Sequence, residues 1–148
     1  MSQSLSRVLI HLVFSTQDRK PLIESAKQER MFYYLGGTLK NIECPPIKIG
    51  GMPDHVHLLF ALHRTRSISK VVEEVKKESS IWAKDIFHPD FYWQSGYGAF
   101  SVSPSNVPAV VNYIENQEEH HRVKTYQDEL RQTFRKHGIE WDERYVWD

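Results

Sequence analysis

The stretch that most restricts the fold runs from Gly50 to Leu62. Gly50-Gly51-Met52-Pro53-Asp54 breaks regular structure, and the chain resumes at once as His55-Val56-His57-Leu58-Leu59-Phe60-Ala61-Leu62. The length and apolar composition of that run suit a buried strand. Side chains alternate along a strand, so His55 and His57 share one face and Val56 takes the other. Two imidazoles side by side on a rigid element make half of a metal site. Neutral histidines also pair with backbone carbonyls or sit in cores, so the pair alone leaves both readings open.

Around this strand the chain reads as a regular succession. Val8 to Phe14 is a β-branched and apolar run ended by Ser15-Thr16-Gln17-Asp18, a first strand and turn. Ser25 with Gln28 has the form of a capping box, and Met31, Phe32, Leu35 and Leu39 follow at helical spacing to about Lys40. Cys44-Pro45-Pro46 leads into a short strand, Ile47-Lys48-Ile49, broken by Gly50-Gly51. Beyond the histidine strand, Ile68, Val71, Val72, Val75 and Trp82 form the stripe of a second long helix. Gly96 to Val102 reads as a fourth strand, and Pro104 to Pro108 starts a further helix with Val107, Val110, Val111 and Ile114 as its apolar face. Thr125 with Asp128 predicts a capped last helix to about His137, followed by an aromatic tail from Trp141 to Trp147. Strand, helix, strand, strand, helix, strand is the split βαβ order of a ferredoxin-like α+β fold: an antiparallel sheet, both helices on one face, and an added C-terminal helix.

Bulk composition narrows the class without naming a function. The 148 residues fit one domain, and 19 basic against 19 acidic residues give no whole-molecule field that would argue for nucleic acid. The single cysteine, Cys44, excludes an internal disulfide and fits a reducing compartment. Without a signal-peptide pattern or a membrane-length apolar run, the expected location is the cytoplasm.

The added helix carries Tyr113-Ile114-Glu115-Asn116-Gln117. At 100 degrees per residue Tyr113 and Gln117 lie one turn apart, about 90 degrees from the centre of the valine stripe, which does not need them. A tyrosine at a helix edge and a surface glutamine are the plain alternatives. With His55 and His57, however, they supply a nucleophile and the parts of a cation site. Two imidazoles and an amide oxygen leave positions open for phosphate oxygens and suit Mn²⁺ or Mg²⁺. A phenol with an ordinary pKa of about 10 needs such an ion, or a nearby acceptor, to ease its deprotonation.

His55-Val56-His57, Tyr113 with Gln117, the surrounding Gly-Gly-Met-Pro-Asp-His-Val-His-Leu-Leu, and Trp93-Gln94-Ser95-Gly96-Tyr97-Gly98-Ala99-Phe100-Ser101-Val102 closely resemble the single-tyrosine HUH transposases of small insertion sequences, relatives of the REP-associated tyrosine transposases. The resemblance runs from the first strand to about Arg122. It implies that His55, His57 and Gln117 hold a divalent metal, Mg²⁺ or Mn²⁺, and that Tyr113 attacks single-stranded DNA to form a 5′-phosphotyrosine link and a free 3′-hydroxyl. It implies hairpin-ended single-stranded DNA as partner, and usually a homodimer whose tyrosine helix acts in trans, with Ser103 to Ser105 as a hinge. Relatives associated with repeated palindromes act as monomers. Residues 1–124 then form the transposase domain, and 125–148 a helix and tail in the same compact unit.

Lys48, Arg64, Arg66, Lys70, Lys76 and Lys77 are candidate phosphate contacts if they fall on one face. Phe91, Tyr92 and Trp93 suit either base stacking or the core, and His121 is an alternative ligand beside His120. His11 reads as a satisfied core histidine. Two other functions compete: a non-catalytic hairpin-binding module derived from a transposase, and a small metal hydrolase using water.

Overall fold

A computed structural model describes residues 2–148. Four strands, β1 (Val8–Ser15), β2 (Pro46–Met52), β3 (His55–Leu62) and β4 (Gly98–Val102), form one antiparallel sheet in the order β2-β3-β1-β4. Helix α1 (Gln28–Asn41) joins β1 to β2, and α2 (Ile68–Ile86) joins β3 to β4. This is the split βαβ sheet expected from the element order.

The sheet is covered on both sides, which explains why β1 and β3 read as continuous apolar runs instead of alternating ones. Ile10, Leu12, Phe14, Val56, Leu58 and Phe60 face α1 and α2 and form the main core with Met31, Leu35, Leu39, Val71, Val72 and Val75. The opposite face is covered by three further helices: α3 (Val107–Glu115), the short α4 (Gln117–His120) and α5 (Tyr126–Lys136). Helix α3 packs Ile114 on Leu9 and Leu59, while α5 packs Tyr126, Leu130 and Phe134 on Val13 and Phe100, with Trp141, Val146 and Trp147 of the tail alongside.

Several boundaries differ from the sequence reading for definable reasons. The capping box at Ser25 does not form: residues Ser25–Lys27 make a 3-10 turn, and α1 begins at Gln28 with no side-chain cap. Thr125, by contrast, caps α5 by accepting from the Asp128 amide. Strand β4 starts at Gly98, because the Gly96 amide donates to the Asp148 carbonyl and the Ser95 and Gly96 carbonyls accept from Lys76. Strand β2 is not broken at Gly50-Gly51; it pairs through them with His57 and Val56.

Gly50 is needed for a close approach rather than a turn. A Cβ there would lie 2.7 Å from the Ile114 carbonyl oxygen and 2.8 Å from its Cγ2. Gly50→Ala is therefore expected to push α3 off β2 and cost about 1–3 kcal/mol, read as a lower urea midpoint with an unchanged m-value.

Candidate active site

The histidine strand presents its imidazoles to the face covered by α3, α4 and α5, and both His55 and His57 are 1 % exposed. His55 Nδ1 lies 2.7 Å from Asp54 Oδ1. A carboxylate only accepts, so Nδ1 holds a proton and, in the neutral ring, Nε2 presents a lone pair. That nitrogen is 3.0 Å from Gln117 Oε1, and the Gln117 amide is oriented by donating its Nε2 to the Tyr113 carbonyl. In that neutral form the two lone-pair atoms form no hydrogen bond with each other. Their arrangement suits two ligands of one cation.

The predicted continuous helix through Tyr113 and Gln117 is interrupted. Asn116 adopts φ −102°, ψ 30° between α3 and α4, and its side chain donates to the Asn112 carbonyl, competing with the helical ladder. The break turns Gln117 inward, where it is 2 % exposed instead of solvated.

His57 Nδ1 is 2.9 Å from His11 Nε2, so His11 is satisfied by the site and not by a separate core contact. His57 Nε2 faces Glu129 Oε1 at 3.0 Å, and Glu129 Oε2 is approached by Nε2 of His121 at 2.8 Å and of His120 at 3.1 Å. The distances are short but the directions are wrong for hydrogen bonds: both Glu129 oxygens and Nε2 of His57 and His120 lack a hydrogen-bond partner. Buried polar atoms left so are rare in native proteins and point to a group the chain does not itself supply. His55, His121 and Glu129 each offer one ligand atom within 4.8 Å of the others, so the donor set fits a divalent metal ion.

Tyr113 sits half-buried at the edge of this cluster, its ring edge-on to His57, His11 and His120 with centroids 5.5, 6.1 and 5.1 Å away. Burial pushes its phenol well above the ordinary range, and the Glu129 charge pushes it further. For Glu129, burial works against ionisation, but the His121 and His57 imidazoles beside it win and hold it well below the usual carboxylate range. His121 is raised on balance: burial opposes its charge, while Glu129 and the Lys124 carbonyl favour it.

Burial, and then His57, lowers His11 to about 3, so it is neutral in the folded protein where the unfolded chain would titrate at 6.5. Below 6.5 the unfolded state takes up the proton first. Stability is thus intact at neutral pH and declines as pH falls from 6.5 toward 3, by on the order of 3 kcal/mol at pH 4. Urea midpoints measured at pH 7 and pH 4 in chelator should show this loss, and His11→Gln should remove part of it.

The structure thus brings His55, His57, Tyr113 and Gln117 together, but it divides the six candidate phosphate contacts. Lys48, opposite Leu59 in β2, lies on the α3 side and pairs with Glu115 at 3.1 Å. Lys70, Lys76 and Lys77 belong to α2 on the other side of the sheet, so the six do not share one face. Lys76 is not a free cation: its Nζ donates to the carbonyls of Gln94, Ser95 and Gly96, and burial lowers it to about 8. Lys70 pairs with Glu73, and Arg64 lies exposed in the turn before α2. Phe91 and Trp93 are core residues, with Trp93 Nε1 donating to Ser79, and only Tyr92 is exposed.

Glu129 escaped the sequence reading. Its signal was an acidic residue on the apolar stripe Tyr126, Leu130, Phe134, where a carboxylate needs a partner.

The structure is thus a split βαβ sheet with a tyrosine set against buried histidines. Residues 4–117 match the family model described as transposase IS200 like, and the chain belongs to that family. Solved structures that share its fold include these two. One is a protein of Deinococcus radiodurans R1 with a provisional transposase designation: 22% identity, TM-score 0.63, covering 79% of this chain and 98% of that one. The other is a REP-associated tyrosine transposase bound to a REP hairpin: 13% identity, TM-score 0.61, covering 82% of this chain and 74% of that one. No curated protein matches the sequence.

Proposed function

We propose that this chain is a transposase that cuts and rejoins single-stranded DNA at hairpin ends, with Tyr113 as nucleophile. The observation that supports this most is the placing of the Tyr113 ring against His57, beside the converging atoms of His55 and Gln117. In the step proposed, Tyr113 Oη attacks the scissile phosphorus and the bond to the upstream 3′ oxygen breaks. The products are a 5′-phosphotyrosine and a 3′-hydroxyl, the proton lost by the phenol balancing the one gained by the departing 3′ oxygen. His55, His57 and Gln117 are the residues proposed to hold Mg²⁺ or Mn²⁺, which when bound would polarise the phosphate and offset its developing charge. Imidazole ligands suit Mn²⁺ better than Mg²⁺. Asp54 holds the His55 tautomer through Nδ1. The transposase unit is read as residues 1–124, with 125–148 docked on it, acting in the cytoplasm.

The direct test is incubation with a labelled single strand carrying a hairpin end and Mn²⁺, which should give an adduct stable to boiling in detergent. Without an adduct or cleavage, hairpin binding indifferent to chelators would favour the non-catalytic module.

The homodimer implied by the resemblance is testable separately. In this chain Tyr113 lies against its own His57. Exchange of tyrosine helices would have to swing α3 about Ser103 to Ser105. Mixing Tyr113→Phe with His55→Ala subunits should then leave the adduct absent if the contacts seen here are the working ones. Recovery of the adduct would establish the trans arrangement.

A further inference from the structure

We propose that Glu129 and His121 are ligands of the same cation as His55 and Gln117, so that a helix beyond the family-matched residues closes the metal site. This rests on a cation binding at the histidine face, as in the function proposed above, and not on Tyr113 being the nucleophile.

His121 Nδ1 lies 2.8 Å from the Lys124 carbonyl, which only accepts, so that nitrogen carries the proton. In the neutral ring, Nε2 then presents a lone pair, and it does so 3.0 Å from Gln117 Oε1 and 2.8 Å from Glu129 Oε2. His55 Nε2, whose own proton is on the Asp54 side, meets the same Gln117 oxygen at 3.0 Å. Four lone-pair atoms from β3, α4, α5 and the residue after α4 therefore converge. Separations of 2.8 to 3.0 Å match the edge of an octahedron whose metal–ligand bonds are about 2.1 Å. Both imidazoles are held from behind, His55 by Asp54 and His121 by a carbonyl, as metal-bound histidines usually are.

Glu129 is the independent observation. It is 3 % exposed, and its oxygens lie 2.8 to 3.1 Å from three imidazole nitrogens without a well-directed hydrogen bond among the described residues. A charge so placed is costly unless compensated. A cation at the convergence point compensates it and ties α5 to the sheet. The rival explanation is a charged His121 paired with Glu129 and no ion.

The experiment uses the full chain, stripped with chelator and titrated with Mn²⁺, with affinity read from the free-ion electron paramagnetic resonance signal and α5 followed by hydrogen exchange. In the wild type, Mn²⁺ at a hundred times its Kd should slow amide exchange across Tyr126–Lys136 by up to about 100-fold. Glu129→Gln and His121→Ala should each weaken Mn²⁺ by about tenfold or more and blunt that protection. Equal Mn²⁺ affinity in Glu129→Gln overturns the proposal, as does Mn²⁺ binding to the wild type with no change in α5 exchange. The second readout needs no variant and decides the matter even if a substitution prevents folding. Failure of the wild type to bind Mn²⁺ overturns it together with the metal part of the function proposed above. A Tyr113-dependent adduct insensitive to chelator would then show that the nucleophile stands without the ion.

Discussion

Tyr113→Phe is expected to abolish the covalent protein–DNA adduct and to lower strand cleavage by on the order of 10⁴-fold or more, with hairpin affinity unchanged. The substitution removes one oxygen and leaves the ring, so the edge-on contacts with His57, His11 and His120 persist. It also removes a phenol that burial and Glu129 hold far from ionisation, so no loss of stability should accompany the loss of activity. Labelled substrate, a denaturing gel and a thermal melt on the same sample separate these effects. An adduct formed by the variant would refute the assignment of the nucleophile. Cleavage that persists without an adduct would instead favour water as nucleophile and the metal-hydrolase reading.

The second large effect is expected at the opposite wall of the site. His55→Ala, or chelation of the wild type, should raise the barrier by about 4 kcal/mol, close to 10³-fold in cleavage rate, while leaving hairpin binding in place. His55 is chosen because its Nε2 meets Gln117 while its Nδ1 is held by Asp54, so it combines a ligand position with a fixed tautomer. Its ring also packs on Tyr126 at 4.3 Å and on His121 at 4.8 Å, so melting of the chelated variant must be measured alongside. Full cleavage by His55→Ala in the presence of chelator would remove the ion from the mechanism.

Much of this site was legible because it is made of local patterns. Period-two alternation placed His55 and His57 together, and helical periodicity singled out Tyr113 and Gln117 as residues the valine stripe did not use. The resemblance joined the two pairs. The order of strands and helices was legible for the same reason, since each element announces itself over a few turns of its own repeat. Boundaries were less so: the Gly50-Gly51 pair looks like a break, but the strand pairs through it with His57 and Val56, and the approach of the Ile114 carbonyl is what requires a glycine at 50.

What the sequence determined by itself was the split βαβ order and the shared face of the two histidines, because each element's own side-chain period declares it. Spacing also singled out Tyr113 and Gln117, but the break at Asn116 that turns Gln117 inward is a feature of the folded chain. What only the tertiary structure decided was which distant groups meet there. His11 comes from a neighbouring strand, Glu129 from a helix more than seventy residues beyond His55, and Lys76 is drawn away to three carbonyls. Burial and orientation across the sheet are properties of the packed whole. No periodicity within a single element encodes the convergence of lone pairs from β3, α4 and α5.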